Sequence, residues 1–280
     1  MLVYTNAVMH SASQVHANAM KKGRISRNIA LMVASALFST GLLAKAADAP
    51  PGLLRHIAER ETQDAIALED YTYRQTVTVQ EIDTHGQITG QYHEVRDITF
   101  SPAHARYEQL LGRPLNTLTH VRLTSQDFAD VRNIQFFLLT RELLPLYEGQ
   151  YKGEETINGV KCYVEYIRPK QILANQRFFE GLIWARESDY AIIQSEGQAV
   201  PQIETLRQQN LTPHFTTIRK ETDQKWLFPS ETYADDTLYF RSWPQRLRIV
   251  IHYTDYKRFG AESTVTFGGE QPDQPPPPHP

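Results

Sequence analysis

The chain is 280 residues long, with 29 lysines and arginines against 32 aspartates and glutamates, and is formally −3 at neutral pH. That acidic balance argues against a nucleic-acid binder, which needs a basic face to neutralise phosphates, and disfavours adsorption to anionic lipid. Its one cysteine, Cys162, excludes an internal disulfide and a cysteine-based metal cluster.

In chain order, an export signal comes first. The basic stretch Met20-Lys21-Lys22-Gly23-Arg24-Ile25-Ser26-Arg27 precedes an apolar run over residues 29–43 and the small residues Ala44-Lys45-Ala46-Ala47. Charge, apolar core and A-x-A site are the parts of a secretory signal peptide, so cleavage is expected after Ala46. Ser35, Ser39, Thr40 and Gly41 interrupt the apolar run, which is short for a stable transmembrane span. The first 19 residues resemble none of these parts, which makes Met20 a candidate start. Losing Lys21, Lys22, Arg24, Arg27 and Lys45 takes the formal charge from −3 to −8, and no cysteine follows the site to carry lipid. A mature domain over residues 47–260 in the periplasm is expected.

Within that domain the apolar period changes once, near Asp70. Leu54, Ile57, Ala65 and Leu68 fall on one side of residues 53–68, among Glu59, Arg60, Glu61 and Asp64, which predicts an amphipathic helix. Alternation then takes over. Tyr71, Tyr73, Val77 and Val79 share one face, Thr72, Arg74, Thr76 and Thr78 the other, and Thr84-His85-Gly86 turns the chain into a second run over residues 91–100. Further strands are predicted at residues 106–111, 159–168, 177–185, 190–197, 214–221, 226–233, 238–242 and 246–256. Short connections between about ten such strands describe a meandering antiparallel sheet.

Two stretches interrupt the series. Residues 125–144 have helical character: Thr124 can cap, Asp127 lies three residues on, and Phe128, Val131, Phe136 and Leu139 are apolar. Residues 201–209 form a polar connection in which Ile203 and Leu206 allow a second short helix. Beyond Gly260 the periodicity fades into a proline-rich end, with residues 261–280 expected to be a disordered tail.

The search for chemistry finds no catalytic residue. His93-Glu94 begins like a zinc motif, but Asp97 stands where the second histidine belongs, so no metal ligand is assigned. There is no G-x-S-x-G, no glycine-rich phosphate loop and no cysteine–histidine pairing, and no cofactor is implied. Asp235-Asp236 is expected to be a solvated turn at a strand end. Cys162 shares a strand face with Val164 and Tyr166 and is expected to be a small core hydrophobe. Aromatic residues are spread over the strands, and a curved sheet would bring them together on its concave side. That side is either an apolar pocket suited to acyl chains or a packed core. Tyr71, Tyr73, Val77, Tyr166, Phe178 and Trp184 are the candidate cavity residues.

One segment carries a family likeness. Tyr151-Lys-Gly-Glu-Glu-Thr-Ile-Asn-Gly-Val-Lys-Cys-Tyr-Val-Glu-Tyr-Ile-Arg-Pro-Lys170 is followed by Arg177-Phe-Phe-Glu-Gly-Leu-Ile-Trp-Ala-Arg-Glu-Ser-Asp-Tyr190 and Ile193-Gln-Ser-Glu-Gly197. That order resembles the bacterial outer-membrane lipoprotein carrier superfamily (LolA/LolB-like), with residues 153–197 as its recognisable part. The resemblance implies an incomplete antiparallel β-barrel whose mouth is covered by helices. It also implies periplasmic residence and the binding of lipid or lipoprotein acyl chains, or lipid- and protein-sensing on the same fold. The carrier keeps its helical lid closed through an arginine, and Arg74, on the first strand after the helix, is the nearest candidate by position. The expectation is therefore an exported protein that holds acyl chains without covalent chemistry. A protein-interaction or sensor module is the alternative and a hydrolase the third reading. The helical insertion and the extra C-terminal strands depart from the simple carriers.

Overall fold

The computed structural model describes residues 48–202, 211, 213–240 and 244–259. The export signal, residues 203–209 of the polar connection and the proline-rich tail lie outside the described residues.

A helix, α1 (Leu53–Leu68), is followed by β1 (Tyr71–Ile82), β2 (Ile88–Phe100), β3 (Arg106–Leu110) and the two-residue β4 (Leu115–Asn116). Next come α2 (Ser125–Asn133) and a 3-10 turn at Leu144–Leu146. The remaining strands are β5 (Tyr147–Ile157), β6 (Val160–Pro169), β7 (Phe178–Arg186), β8 (Ile192–Val200), β9 (Phe215–Thr222), β10 (Trp226–Tyr239) and β11 (Pro244–Arg258). They form one antiparallel sheet in the order β3-β2-β1-β11-β10-β9-β8-β7-β6-β5, with β4 beside β2. Neighbours along that path are neighbours in sequence except at β1 and β11, which pair from Tyr71↔Arg258 to Ile82↔Arg246. The path ends at β3 and β5, so the sheet is open, a curved half-barrel rather than a closed one.

Period-2 writing does what it predicts in β1, where Tyr71, Tyr73, Gln75, Val77 and Val79 are buried and their neighbours half-exposed. The inward side chains of the strands join Leu53, Ile57, Ala58 and Leu68 of α1 and Ile134, Phe136, Phe137 and Leu139 of the segment after α2 in one core. A small second cluster, Cys162, Val164 and Trp184, lies on the outer face. Curvature is helped by Gly181 and Gly197, which sit opposite one another on β7 and β8. A Cβ at Gly197 would lie 2.2 Å from the Glu180 carbonyl oxygen and 2.8 Å from the Phe179 ring. Only a residue without a side chain permits that approach. Gly197→Ala is expected to lower the unfolding free energy by about 1–3 kcal/mol, an overpacking cost that urea denaturation reads directly.

Three expectations change. Residues 147–157 form a strand that shows no apolar alternation, because β5 is the sheet edge and exposes Glu148, Gln150, Glu154 and Glu155. The two strands expected around Asp235-Asp236 are one, β10, and the pair lies within it rather than at a turn. Asp235 there accepts hydrogen bonds from Arg246 (2.7 Å) and Arg248 (3.0 Å) on β11, which hold its carboxyl down at about 2. Finally, α2 begins where its Thr124–Asp127 capping box predicts but stops at Asn133, not at residue 144. Beyond it, the carbonyls of Gln135 and Phe137 accept from Thr217 (2.8 Å) and Arg219 (2.5 Å) of β9. Tertiary partners replace the helical ones there, and the chain runs on as an irregular strap.

Candidate functional site: the covered concave face

The concave face is floored by β1, β7, β9, β10 and β11 and covered by α1 and residues 117–146. Aromatic contacts define the interface between floor and cover. Phe136 stacks on Tyr73 at 5.9 Å and meets Tyr253 edge-on at 5.3 Å. Phe137 stacks on Phe179 at 4.8 Å. Under α2 a gap lined by Val77, Val79, Leu123, Phe128, Val131 and Ile249 measures about 20 Å³. That is room for about one water, so the gap under α2 is nearly closed.

Polar staples hold the cover down. The Arg219 side chain is fully buried, its Nη1 2.7 Å from both carboxylate oxygens of Glu61 on α1 and its Nη2 donating to the Phe137 carbonyl. Arg177, just before β7, donates to Asp130 of α2 at 2.6 Å, with side chains 6% and 3% exposed. The Arg141 amide donates to Thr62 of α1 at 2.9 Å, which ties the two covering elements together. At the entry to the strap, Glu81 on β1 accepts the backbone N–H groups of Thr119 (3.0 Å), His120 (2.6 Å) and Val121 (2.7 Å). Burial alone would raise the Glu81 pKa, but these donors together hold it below the ordinary carboxylate range. His120 Nδ1 lies 3.3 Å from the same carboxylate. A carboxylate engaged by a run of backbone amides anchors a loop; it is not free to accept a proton from substrate.

Two buried carboxyls are less well served. Burial, with the neighbouring Glu61 adding to it, pushes Asp64 up to about 6 against the opposing pull of Arg60 and Arg219. Glu165 on β6 is 4% exposed, and its Oε2 has no hydrogen-bonding partner among the described residues. Burial pushes it up to about 7. It sits by Gly149 together with Leu54 of α1: a Cβ there would be 2.9 Å from Glu165 Oε2 and 3.0 Å from Leu54.

The structure brings together four of the six candidate cavity residues. Tyr71, Tyr73, Val77 and Phe178 belong to the concave core, and Val77 lines the gap under α2. Tyr71 also donates to Asp223 at 2.5 Å. Tyr166 and Trp184 are placed elsewhere. On β6 and β7 the side chains of Cys162, Val164, Tyr166 and Trp184 face outward, so Trp184 packs on Cys162 and Val164 and donates to Glu155 at 2.8 Å. Tyr166 donates to Glu180 at the wall of an outer cleft. Alternation along β1 likewise places Arg74 on the outer face, 2.8 Å from Asp97 and 3.8 Å from Asp255, neither of which is on a covering element. The arginines that pair with the covering elements are Arg219 and Arg177. The inward position of Arg219 on residues 214–221 was readable from alternation with Phe215 and Thr217, but its partners were not.

Cys162 is fully buried, and burial raises its thiol to about 11, as suits a core hydrophobe. Among the described residues no three His, Cys, Asp or Glu side chains are arranged to hold a metal, and no helix is long and apolar enough to cross a membrane.

No family model matches the chain, and the search of curated proteins finds no match. Solved structures do. A LolA superfamily protein from Nitrosomonas europaea is 13% identical, covering 76% of this chain and 95% of its own, with a TM-score of 0.33. An outer membrane lipoprotein-sorting protein domain from Vibrio parahaemolyticus is 10% identical, with coverages of 73% and 91% and a TM-score of 0.35. The MucA/MucB complex of Pseudomonas aeruginosa contributes a chain 9% identical, with coverages of 75% and 98% and a TM-score of 0.21.

Proposed function

We propose that this protein binds acyl chains, of a lipid or a lipoprotein, between the concave sheet face and its cover, in the periplasm to which the export signal directs it. The observation that carries the reading is the make-up of the interface. An aromatic floor is capped by a strap whose own apolar side chains occupy the place an acyl chain would take, and the strap is held by discrete polar staples. Replacement is energetically feasible. Ile134, Phe136, Phe137 and Leu139 contribute about 1.5–3 kcal/mol each when buried, the half-buried Phe128 and Val131 about half as much, and each methylene of an entering chain about 0.8 kcal/mol. Roughly fifteen methylenes therefore match the strap, so a single long chain or two shorter ones compete with it on equal terms. Binding and release need only movement of the cover, with no bond made or broken.

The outer face favours the protein-interaction alternative less. It carries ion pairs such as Arg74–Asp97 and Arg248–Asp235 that satisfy one another across strands.

Titration of the chain with a fluorescent long-chain fatty acid is expected to saturate. Hydrogen exchange should then quicken over residues 125–146 while the amides of β1 stay protected. Absence of saturable uptake, or uptake with unchanged exchange over the strap, overturns the proposal.

A further inference from the structure

The staples say what kind of acyl ligand displaces the cover, an inference that rests on the binding reading above. Arg219 and Arg177 both have side chains more than nine-tenths buried, and both reach inward from the sheet side. Each takes its counter-charge from the cover: Arg219 from Glu61 on α1, Arg177 from Asp130 on α2. Neither guanidinium is fully satisfied even so, since Arg219 Nε and Arg177 Nη1 have no hydrogen-bonding partner among the described residues. A guanidinium does not give up its proton, so its charge persists when the cover lifts. Lifting α1 or α2 therefore strands a cation on an apolar floor, and a neutral chain cannot relieve that. An oxyanion can, because carboxylate and phosphate accept from the planar donor fork of arginine as Glu61 and Asp130 do.

We propose that Glu61 and Asp130 each occupy, in the covered form, a seat for an oxyanionic head group, and that the ligand is an anionic amphiphile whose head is bound by Arg219 or Arg177. Its acyl part replaces Phe136 and Phe137, and its head replaces one of the two carboxylates. The head is the carboxylate of a fatty acid or the phosphate of a phospholipid.

The test measures binding of laurate, dodecyl phosphate, dodecanol and dodecyltrimethylammonium to the full chain and to two charge-neutral double variants, Arg177→Gln/Asp130→Asn and Arg219→Gln/Glu61→Gln. Each double replaces an ion pair by an amide pair, so neither leaves a buried charge alone. At least one oxyanionic ligand should bind the wild type at least about tenfold more tightly than dodecanol, the scale of one hydrogen bond to a charged group. The stronger of laurate and dodecyl phosphate identifies the head group. A double variant that removes a seat should lose that preference while its affinity for dodecanol stays or rises. Equal binding of all four ligands overturns this inference and leaves the acyl-binding reading standing; so does a preference that survives in both doubles. Binding of none of them overturns both.

Discussion

Replacing Arg219 by alanine is expected to lower the unfolding free energy by about 3–5 kcal/mol, the cost of leaving a buried carboxylate without its partner. Glu61 would remain on the inner face of α1 at 0% exposure, beside Asp64, with the guanidinium that pairs with it removed. The Phe137 carbonyl would lose its donor at the same time, so the strap loosens together with the helix. Glu61→Leu/Arg219→Met should cost much less than the single change, because apolar groups of similar volume often replace a buried pair without loss. Equilibrium urea denaturation of that double variant together with its two singles, Glu61→Leu and Arg219→Met, completes a double-mutant cycle. A single-variant loss under about 1 kcal/mol, or purely additive effects, would show that the pair does not hold the cover.

Glu165→Gln is expected to stabilise the protein at pH 8 by about 2 kcal/mol and to flatten its stability between pH 4.5 and 8. Burial raises the carboxyl from its ordinary 4.5 to about 7, so the folded chain holds the proton more tightly than the unfolded chain. Stability from this group is therefore fully present below about pH 4.5 and is lost as pH rises through 7. Asp64, raised to about 6, acts in the same direction and leaves a residual slope in the variant. Glu81 and Asp235 are held low and act oppositely, losing their contribution only as pH falls below the ordinary carboxylate range. Urea midpoints measured across that pH range for both proteins decide the matter. Parallel curves would mean that Glu165 is not the group that titrates.

Much of the scaffold could be read locally. Alternation from Tyr71 to Val79 assigns inner and outer faces, and the observed burial of β1 follows it residue by residue. The helix over residues 53–68 was written in its apolar spacing, and the start of α2 in its capping box. What local pattern missed were the places where a partner elsewhere in the chain sets the outcome. β5 carries no alternation because one side of it faces solvent at a sheet edge. The strap after Asn133 leaves the helix because Thr217 and Arg219, more than 80 residues on, take its carbonyls. Tyr166 and Trp184 are apolar enough for a cavity, but only strand parity relative to the curve shows that they face outward.

The sequence by itself therefore determined an acidic chain with one amphipathic helix and a long antiparallel meander, because these depend on composition and on periods of two and 3.6 residues. Only the tertiary structure decided which way the sheet curves, that a strap covers its concave face, and that Arg219 and Arg177 pair with the covering elements. Those outcomes rest on contacts between residues far apart in the chain, such as Arg219 with Glu61, and the energy of a buried ion pair depends on an enclosure that no single segment supplies.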